Sequence, residues 1–450
     1  MFDKLHEECG VVGVIGIEEA AKFAYLCLYA LQHRGQEGAG IVSFSSHEII
    51  SEKGKGLVSE IFSSEDLEKF KGNIAIGHNR YSTKGAFDLE NVQPLVADIN
   101  LCQLALAHNG NIVNIDKLKK EFVEDGSIFT STSDSEIILH LMARFGKNNN
   151  FIESLIKSLK CVKGAYSFVV MTANQLIGAR DPMGFRPLVL GRLKSGYVLV
   201  SETVALDLIE AEFVREIDPG EVVVIDNSGI KSLFPFEKTA QKLCIFEYIY
   251  FARPDSLIFG NYVYNVRKKL GVELAKQQFI DADIVIPVPD SGIVATLGYS
   301  EESKIPIEMA LIRNHYVGRT FIEPSQSIRH FGVKLKLNTV KDLIKGKRVI
   351  VIDDSIVRGT TSRKIIKMLK GDGAKEVHML ISAPPICFPC FYGIDTPTRN
   401  ELIAATHTLE EIRRYITADS LNYLSIERLL KCAGNNSYCT ACFNGNYPLI

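Results

Sequence analysis

The segment spanning residues 347–362 constrains the fold of this 450-residue chain more than any other. It begins with the β-branched run at 349–352, which is typical of a strand buried on both faces of a parallel sheet. Two acids follow, and a Gly-Thr-Thr-Ser loop then leads into an amphipathic helix predicted over about 362–369. Because ligands of open α/β sheets bind beyond the carboxyl ends of the strands, the segment predicts a binding site.

The loop has the chemistry of an anion site. Backbone N–H groups and hydroxyls at a helix N-terminus bind phosphate, and two adjacent acids can bind ribose hydroxyls and a hard cation such as Mg²⁺. A second strand, beginning at Ile284, ends in the turn Asp290-Ser291-Gly292. A helix cap and an ordinary turn are the simpler alternatives for these two segments. The candidate residues of the first segment are Asp353, Asp354, Ser355, Arg358, Gly359, Thr360, Thr361 and Ser362.

Charge and composition exclude several classes of protein. The chain has 51 Lys and Arg against 53 Asp and Glu, a formal net charge of −2, which argues against a nucleic-acid or membrane-surface binder. It contains no apolar run of the roughly 20 residues that cross a membrane, and its first residues, MFDKLHEE, do not form a signal peptide. We therefore predict a cytoplasmic location, where the ten cysteines are thiols, nucleophiles or metal ligands.

The first half of the chain predicts a sheet-rich domain. Short β-branched runs alternate with turn residues from Cys9 to about Leu233, and helices are predicted over about 19–32 and 133–145. The first helix carries Phe23, Leu26, Leu28 and Leu31 on or near one face. Several of these β-branched runs end in a cluster of polar residues, where a loop can present the side chains to a ligand. Each cluster alone could also be a simple turn. These clusters are residues 8–10, 32–36, 77–83, 108–111 and 132–136.

Together these clusters resemble the glutaminase domain of class II, N-terminal-nucleophile amidotransferases, which is an αββα sandwich. The resemblance implies that residues 1–8 are a propeptide whose removal leaves Cys9 at the N-terminus. A thiol has an ordinary pKa of about 8.5 and an α-amine one of about 7.7–8.0, so the amine can act as the base for the thiol near neutral pH. The alternative is that Cys9 is a small core cysteine.

The resemblance also assigns the remaining roles in glutamine hydrolysis. The Asn109 side chain and the Gly110 N–H resemble the oxyanion hole, which holds the developing negative oxygen. Arg34 and Gly35 resemble the catalytic loop that borders the nucleophile. The residues that resemble the glutamine-binding set are Arg80 and Thr83, for the α-carboxylate, and Asp134, for the α-ammonium group.

The segment at 347–362 resembles the phosphoribosylpyrophosphate (PRPP) signature of type I phosphoribosyltransferases, whose sheet is mainly parallel. The resemblance implies that the acids hold the ribose and the loop holds the 5-phosphate. Asp290, Ser291 and Gly292 resemble the pyrophosphate loop, and Ser291, Asp353 and Asp354 resemble the Mg²⁺ site. The basic segment 313–336 resembles the loop that closes over pyrophosphate.

The two halves and the linking segment 246–256 together resemble the glutamine phosphoribosylpyrophosphate amidotransferases. This implies a glutaminase domain at 9–238 and, at 239–450, a phosphoribosyltransferase domain ending in a helical, metal-binding segment. The expected reaction transfers ammonia from glutamine onto PRPP, giving 5-phosphoribosylamine, pyrophosphate and glutamate in the first committed step of purine (IMP) synthesis. Feedback inhibition by purine nucleotides and a homotetramer or homodimer are also implied. The rivals are another glutaminase fusion, a nucleotide-sensing regulator and an iron–sulfur redox protein.

Four cysteines have the spacing of metal ligands. The pairs Cys387/Cys390 and Cys439/Cys442 predict, by spacing alone, a four-cysteine zinc site. The resemblance instead implies a [4Fe–4S] cluster, with Cys387 left over. Zinc is the weaker alternative, and buried free thiols are the third. The implied cluster ligands are Cys244, Cys390, Cys439 and Cys442.

Overall fold

A computed structural model of the chain describes residues 9–45, 48–81, 88–314, 337–434 and 437–449. The predicted propeptide, Thr83 and residues 315–336 of the basic segment lie outside these ranges, so their predicted roles stay predictions. In the described part of the chain, no helix is long and apolar enough to cross a membrane.

The N-terminal half forms two antiparallel sheets, of seven and six strands. The first has the order β11-β9-β10-β1-β4-β2-β3 and the second β13-β12-β8-β7-β6-β5. Their bounds are β1 Gly10–Ile15, β2 Gly38–Ser45, β3 Glu48–Lys55, β4 Ile74–Arg80, β5 Leu95–Asp98, β6 Gln103–Ile112, β7 Gly164–Met171, β8 Leu176–Arg180, β9 Val189–Leu193, β10 Gly196–Val200, β11 Glu212–Glu216, β12 Val222–Asp226 and β13 Gly229–Leu233.

The two sheets pack face to face over an apolar core. Val11 and Ile76 of the first sheet and Val169 of the second belong to it. Gly13 allows the close approach, because a Cβ atom there would lie 2.6 Å from the Leu176 side chain and 2.7 Å from that of Val169. Helices cover both outer faces, so the αββα sandwich is confirmed. These helices are α1 Ala20–Ala30, α2 Val58–Ile61, α3 Ser64–Lys69, α4 Ile115–Glu124, α5 Glu136–Phe145, α6 Phe151–Cys161 and α7 Val204–Leu208.

Two predicted helices differ in detail from the observed ones. Helix α1 buries Ala24, Cys27 and Leu28, whereas Leu26, which we placed on or near the apolar face, is 39% exposed. The small residues face the sheet because the helix packs closely on it. Helix α5 begins at Glu136 rather than at about residue 133, because Asp134 instead accepts a hydrogen bond from the backbone N–H of Ile112.

The C-terminal half contains a four-stranded parallel sheet of order β17-β20-β21-β22. Its strand at 349–352 is fully buried, as the β-branched run predicts. The strands of this half are β14 Leu243–Cys244, β15 Leu257–Ile258, β16 Asn261–Tyr262, β17 Ile284–Pro287, β18 Leu311–Arg313, β19 Leu337–Thr339, β20 Arg348–Asp353, β21 Glu376–Ile381, β22 Ser420–Tyr423 and β23 Tyr438–Cys439.

Helices flank this sheet and share one large core with it. A short π-helix, Glu247–Phe251, lies in the linking segment. The mainly parallel sheet expected of this half is confirmed. The helices are α8 Val263–Gln277, α9 Ile293–Ser303, α10 Lys341–Ile344, α11 Thr360–Gly371, α12 Ile403–Thr406, α13 Leu409–Ile416, α14 Ile426–Ala433 and α15 Ala441–Asn444.

Candidate active site

A cavity of about 630 Å³ opens beside Cys9. Cys9 directly precedes β1, and the neighbouring strand β4 ends at Arg80. Gly110 of β6 and Asp134 of the loop before α5 line the same cavity. The fold therefore gathers four predicted glutaminase residues that lie in four separate segments of the sequence.

Cys9 and Arg80 lie close together in the lining of the cavity. The Cys9 thiol donates to the backbone carbonyl of Tyr81 at 3.9 Å. Gly35 lies against the backbone of β4, because a Cβ atom there would be 2.7 Å from the carbonyl carbon of Arg80. Burial lowers the pKa of Arg80, although Cys9 and Glu37 oppose the shift. A mostly buried guanidinium beside a thiol suits the binding of an anionic carboxylate.

Asn109 and Gly110 follow one another along β6. Asn109 is fully buried, does not line the cavity, and neither atom of its side-chain amide has a hydrogen-bond partner among the described residues. Gly110 has a φ of +145°, and a Cβ atom there would lie 2.0 Å from the carbonyl oxygen of Ala165. Only glycine fits such a position. The oxyanion-hole role of this pair stays a prediction.

Asp134 is held as a carboxylate at the cavity. Burial raises its pKa, but His108 and the hydrogen bonds from Ile112 N–H (2.7 Å) and the Ser135 hydroxyl (3.2 Å) outweigh that effect, so the pKa is lowered overall. A negative charge fixed in this way can accept an ammonium group. This is the chemistry that the predicted glutamine site requires.

A second candidate site lies where β17 and β20 end side by side. The two strands pair in parallel, with Pro287 opposite Ile352. Gly292 lies against the end of β20, because a Cβ atom there would be 2.4 Å from the Ile352 carbonyl oxygen. Asp353, the last residue of β20, and Asp354, which follows it, are almost completely buried. The predicted pyrophosphate turn and the predicted ribose acids are therefore neighbours.

The predicted phosphate loop leads into α11. Gly359, with a φ of +76°, precedes the first residue of the helix, and Thr361 and Ser362 are buried in its first turn. Arg358 is half-exposed and pairs with Glu401 at 2.9 Å. Asp290 pairs with Arg313, at the start of the basic segment. Exposed cations beside a helix N-terminus suit a phosphorylated ligand.

The four predicted cluster cysteines line one small enclosed cavity of about 20 Å³, together with aromatic side chains such as Phe185 and Tyr392. Cys387 does not line it; its thiol donates to the Ala404 carbonyl at 3.4 Å. Burial raises the pKa of Cys439 and Cys442. Among the described residues, no set of three or more His, Cys, Asp or Glu side chains is arranged to hold a metal ion. The donor types fit a thiolate-bound metal or cluster.

Comparison with known proteins agrees with this geometry. Residues 78–208 match the family model of the glutamine amidotransferase domain. The amidophosphoribosyltransferase of Bacillus subtilis is 50% identical over 451 residues, covering 99% of this chain and 94% of the relative. Amidophosphoribosyltransferase 2, chloroplastic, of Arabidopsis thaliana is 52% identical, covering 99% and 80%. The chain belongs to the amidophosphoribosyltransferase family.

Solved structures extend the similarity to the whole fold. Glutamine PRPP amidotransferase from B. subtilis, complexed with ADP and GMP, superposes with a TM-score of 0.93 at 49% identity, covering 98% of each chain. A structure described as the allosteric regulatory enzyme of purine biosynthesis superposes with a TM-score of 0.95, also at 49% identity, covering 98% of this chain and 96% of the other. Membership of the amidophosphoribosyltransferases rules out the rival glutaminase fusions.

In this amidophosphoribosyltransferase, Arg34 does not line the cavity beside Cys9. Its guanidinium is fully buried and pairs with Glu202 and, from the linking segment, Glu247. Glu247 also accepts from Arg186 at 3.1 Å, and Arg186 in turn donates to the Tyr392 carbonyl at 3.2 Å. Arg34 therefore belongs to a buried chain of charges that joins the two halves, and its catalytic role stays a prediction.

Several residues of the cavity had no predicted role. His78 lines it; the His78 Nε2–H donates to the His108 carbonyl at 3.1 Å, and burial lowers the pKa of His78 to about 3. Gln93 accepts from the His108 N–H at 2.7 Å. Phe391 and Leu449 come from the other half of the chain. His78 lies in a polar cluster that the sequence marks, whereas the other three belong to no motif that we recognised.

Proposed function

We propose that the cavity beside Cys9 hydrolyses glutamine and that the site around Asp353 and Asp354 transfers the released ammonia to PRPP. Glutamine-dependent amination of PRPP, the first step of purine biosynthesis, is the activity of this family. The observation that carries the assignment to residues is the cavity that brings together Cys9, Arg80 and Asp134. The Cys9 nucleophile matches the side-chain amide of glutamine, the Arg80 cation its α-carboxylate and the Asp134 anion its α-ammonium group.

In the proposed glutaminase reaction, removal of residues 1–8 frees the α-amine of Cys9. The amine takes the thiol proton, and the thiolate attacks the amide carbon of glutamine. Asn109 and Gly110 hold the oxyanion; the two unpartnered atoms of the buried Asn109 amide support this role. The tetrahedral intermediate collapses to a thioester and releases ammonia, and water then hydrolyses the thioester to glutamate. Arg34 and Gly35 border the nucleophile, and Thr83 assists Arg80.

In the proposed transfer reaction, Asp353 and Asp354 orient the ribose, and residues 355–362 hold the 5-phosphate. Ammonia attacks C1, the C1–O bond to pyrophosphate breaks, and 5-phosphoribosylamine forms. Asp290, Ser291 and Gly292 receive the pyrophosphate, and the basic segment closes over it. In bulk water most ammonia would become ammonium, which is not a nucleophile. Fusing the two domains, at 9–238 and 239–450, keeps the released ammonia out of bulk water.

We further propose two bound groups. Carboxylate and hydroxyl oxygens are the ligands that Mg²⁺ prefers, so Ser291, Asp353 and Asp354 would hold it with PRPP, and the ion would neutralise pyrophosphate charge. Four thiols around one small cavity support a [4Fe–4S] cluster, with zinc as the weaker alternative. Cytoplasmic location, inhibition by purine nucleotides and a homotetramer or homodimer complete the proposal. The cluster ligands would be Cys244, Cys390, Cys439 and Cys442.

The test measures glutamate and pyrophosphate release with glutamine and PRPP, singly and together. We expect equal release of both products when both substrates are present, and pyrophosphate release with PRPP and ammonium salts alone. N-terminal sequencing of the purified protein is the companion measurement, with Cys9 expected as its first residue. Glutamate release without pyrophosphate at saturating PRPP, or an intact Met1, would contradict the proposal.

A further inference from the structure

The cavity beside Cys9 is not built by the N-terminal half alone. Phe391, Gly393 and Leu449, from the C-terminal half, line it opposite the β6 residues. We call the segment 390–393 together with Leu449 the cavity wall. The same segment carries Cys390, so the wall also borders the cysteine cavity. A short piece of chain therefore separates the glutamine cavity from the predicted cluster site.

On its far side, the cavity wall is held by buried partners. The Tyr392 ring stacks on Phe185 with the ring centroids 4.4 Å apart, and the Tyr392 carbonyl accepts from Arg186. The Tyr392 hydroxyl accepts from the Leu449 N–H at 3.0 Å, which ties the two parts of the wall together. The Tyr447 hydroxyl donates to the Pro389 carbonyl at 2.6 Å. These contacts anchor the wall within the C-terminal half and on the segment 185–186.

On its near side, the cavity wall meets β6 through Asn111. The Asn111 side-chain amide donates to the Phe391 carbonyl at 2.9 Å, across 280 residues of sequence. Asn111 directly follows Gly110, the predicted oxyanion donor, and it lines the cavity. Tyr392 of the wall packs with Ala165, which pairs with Asn111 across β7 and β6, whereas the Phe391 side chain is 38% exposed. The Asn111 hydrogen bond therefore holds the Phe391 backbone of the wall next to the predicted oxyanion hole.

We propose that Asn111 is a positioning residue for glutamine turnover. Its hydrogen bond to Phe391 closes the cavity wall against β6, which narrows the cavity around glutamine. This inference rests on the proposed function of the cavity. A neutral hydrogen bond of this kind contributes on the order of 1 kcal/mol, which corresponds to roughly a three- to tenfold change in an equilibrium.

The test compares Asn111→Ala with Asn149→Ala in the full-length protein. Asn149 is a matched control, because its side-chain amide also donates to a backbone carbonyl, that of Phe145 at 2.8 Å, and it does not line the cavity. Asn111→Ala is expected to raise the KM for glutamine about three- to tenfold. The rate of pyrophosphate release with ammonium salts should not change, and Asn149→Ala should leave both unchanged.

Two further measurements separate positioning from general loss of structure. Asn111→Leu keeps the branched shape of the side chain and removes the donor, so it should match Asn111→Ala; recovery of the wild-type KM would overturn the proposal. Hydrogen–deuterium exchange of the peptide 387–395 should be faster in Asn111→Ala, while exchange in α11 stays unchanged. Unchanged exchange of that peptide, or an equal loss of ammonia-dependent activity, would also overturn it. If the wild-type protein shows no glutamine-dependent activity, the proposed function fails, whereas the exchange result still decides whether Asn111 holds the wall.

Discussion

Arg34, from the N-terminal half, pairs with Glu247 of the linking segment, and neither side chain is exposed to solvent. Glu247 also accepts from Arg186, so one buried carboxylate serves two guanidinium groups. Removing one partner of a buried ion pair leaves an uncompensated charge, which is far more unfavourable than losing an exposed pair.

We therefore expect Glu247→Gln to lower the free energy of unfolding by about 3–5 kcal/mol. Glu212→Gln is the control, because Glu212 pairs with Arg192 at 2.6 Å with both side chains more than half exposed; the expected loss is about 0–1 kcal/mol. Thermal unfolding of the two variants measures the difference. Equal shifts in Tm would show that the buried ion pairs contribute no more to stability than the exposed pair.

Cys9→Ala should abolish glutamine-dependent pyrophosphate release and leave ammonia-dependent release intact. The reason is that the thiol forms the proposed thioester, whereas ammonia supplied from outside bypasses that step. Both rates are measured on the same preparation, with circular dichroism to check folding. Loss of both activities in a folded variant would contradict the division of labour between the two halves.

Asp353→Asn and Asp354→Asn should raise the KM for PRPP and lower the rate of transfer at least tenfold, because amides neither bind Mg²⁺ as well nor accept from ribose hydroxyls as strongly as carboxylates. Basal glutamate release should persist. Glu410→Gln, at an exposed helix position, is the control. Unchanged PRPP kinetics in the two Asp variants would count against this site.

Cys439→Ser should abolish metal binding, whereas Cys387→Ser should retain it, because Cys439 lines the cysteine cavity and Cys387 does not. Elemental analysis of anaerobically purified protein is the measurement, with iron expected in excess over zinc in the wild type. Equal metal loss in both variants would exclude the proposed ligand set. One zinc per chain with no iron would favour the alternative metal.

His78 predicts a pH dependence of stability. Burial lowers its pKa from 6.5 to about 3, so below pH 6.5 the unfolded chain binds a proton that the folded chain does not. Above pH 6.5 the imidazole is neutral in both states, so its titration does not lower the free energy of unfolding there. The free energy of unfolding falls by about 1.4 kcal/mol for each pH unit below that value, down to about pH 3.

His78→Asn should therefore lose less stability than the wild type between pH 7 and pH 5.5. The Tm of both proteins at the two pH values provides the comparison. Parallel decreases in Tm would show that His78 does not carry this titration.

Local sequence patterns determined many of the secondary structure elements of this protein. The strand at 349–352, its two acids and the glycine-bearing loop are contiguous, so the sequence alone predicted the parallel strand and a helix over about 362–369. The structure confirms both, and the helix spans Thr360–Gly371. The alternation of β-branched runs and turns likewise predicted the sheet-rich first half. Such features depend on interactions between residues close in sequence, which leave a periodic pattern.

Tertiary structure alone decided which distant segments complete the cavity. The Asn111–Phe391 and Arg34–Glu247 contacts join residues 280 and 213 positions apart. Neither Phe391 nor Leu449 belongs to a motif, because a backbone carbonyl or an apolar side chain can line a cavity without any local sequence signal. The start of α5 was likewise set by the contact between Asp134 and Ile112 rather than by local helix propensity. Long-range packing places these groups, since no short-range periodicity encodes them.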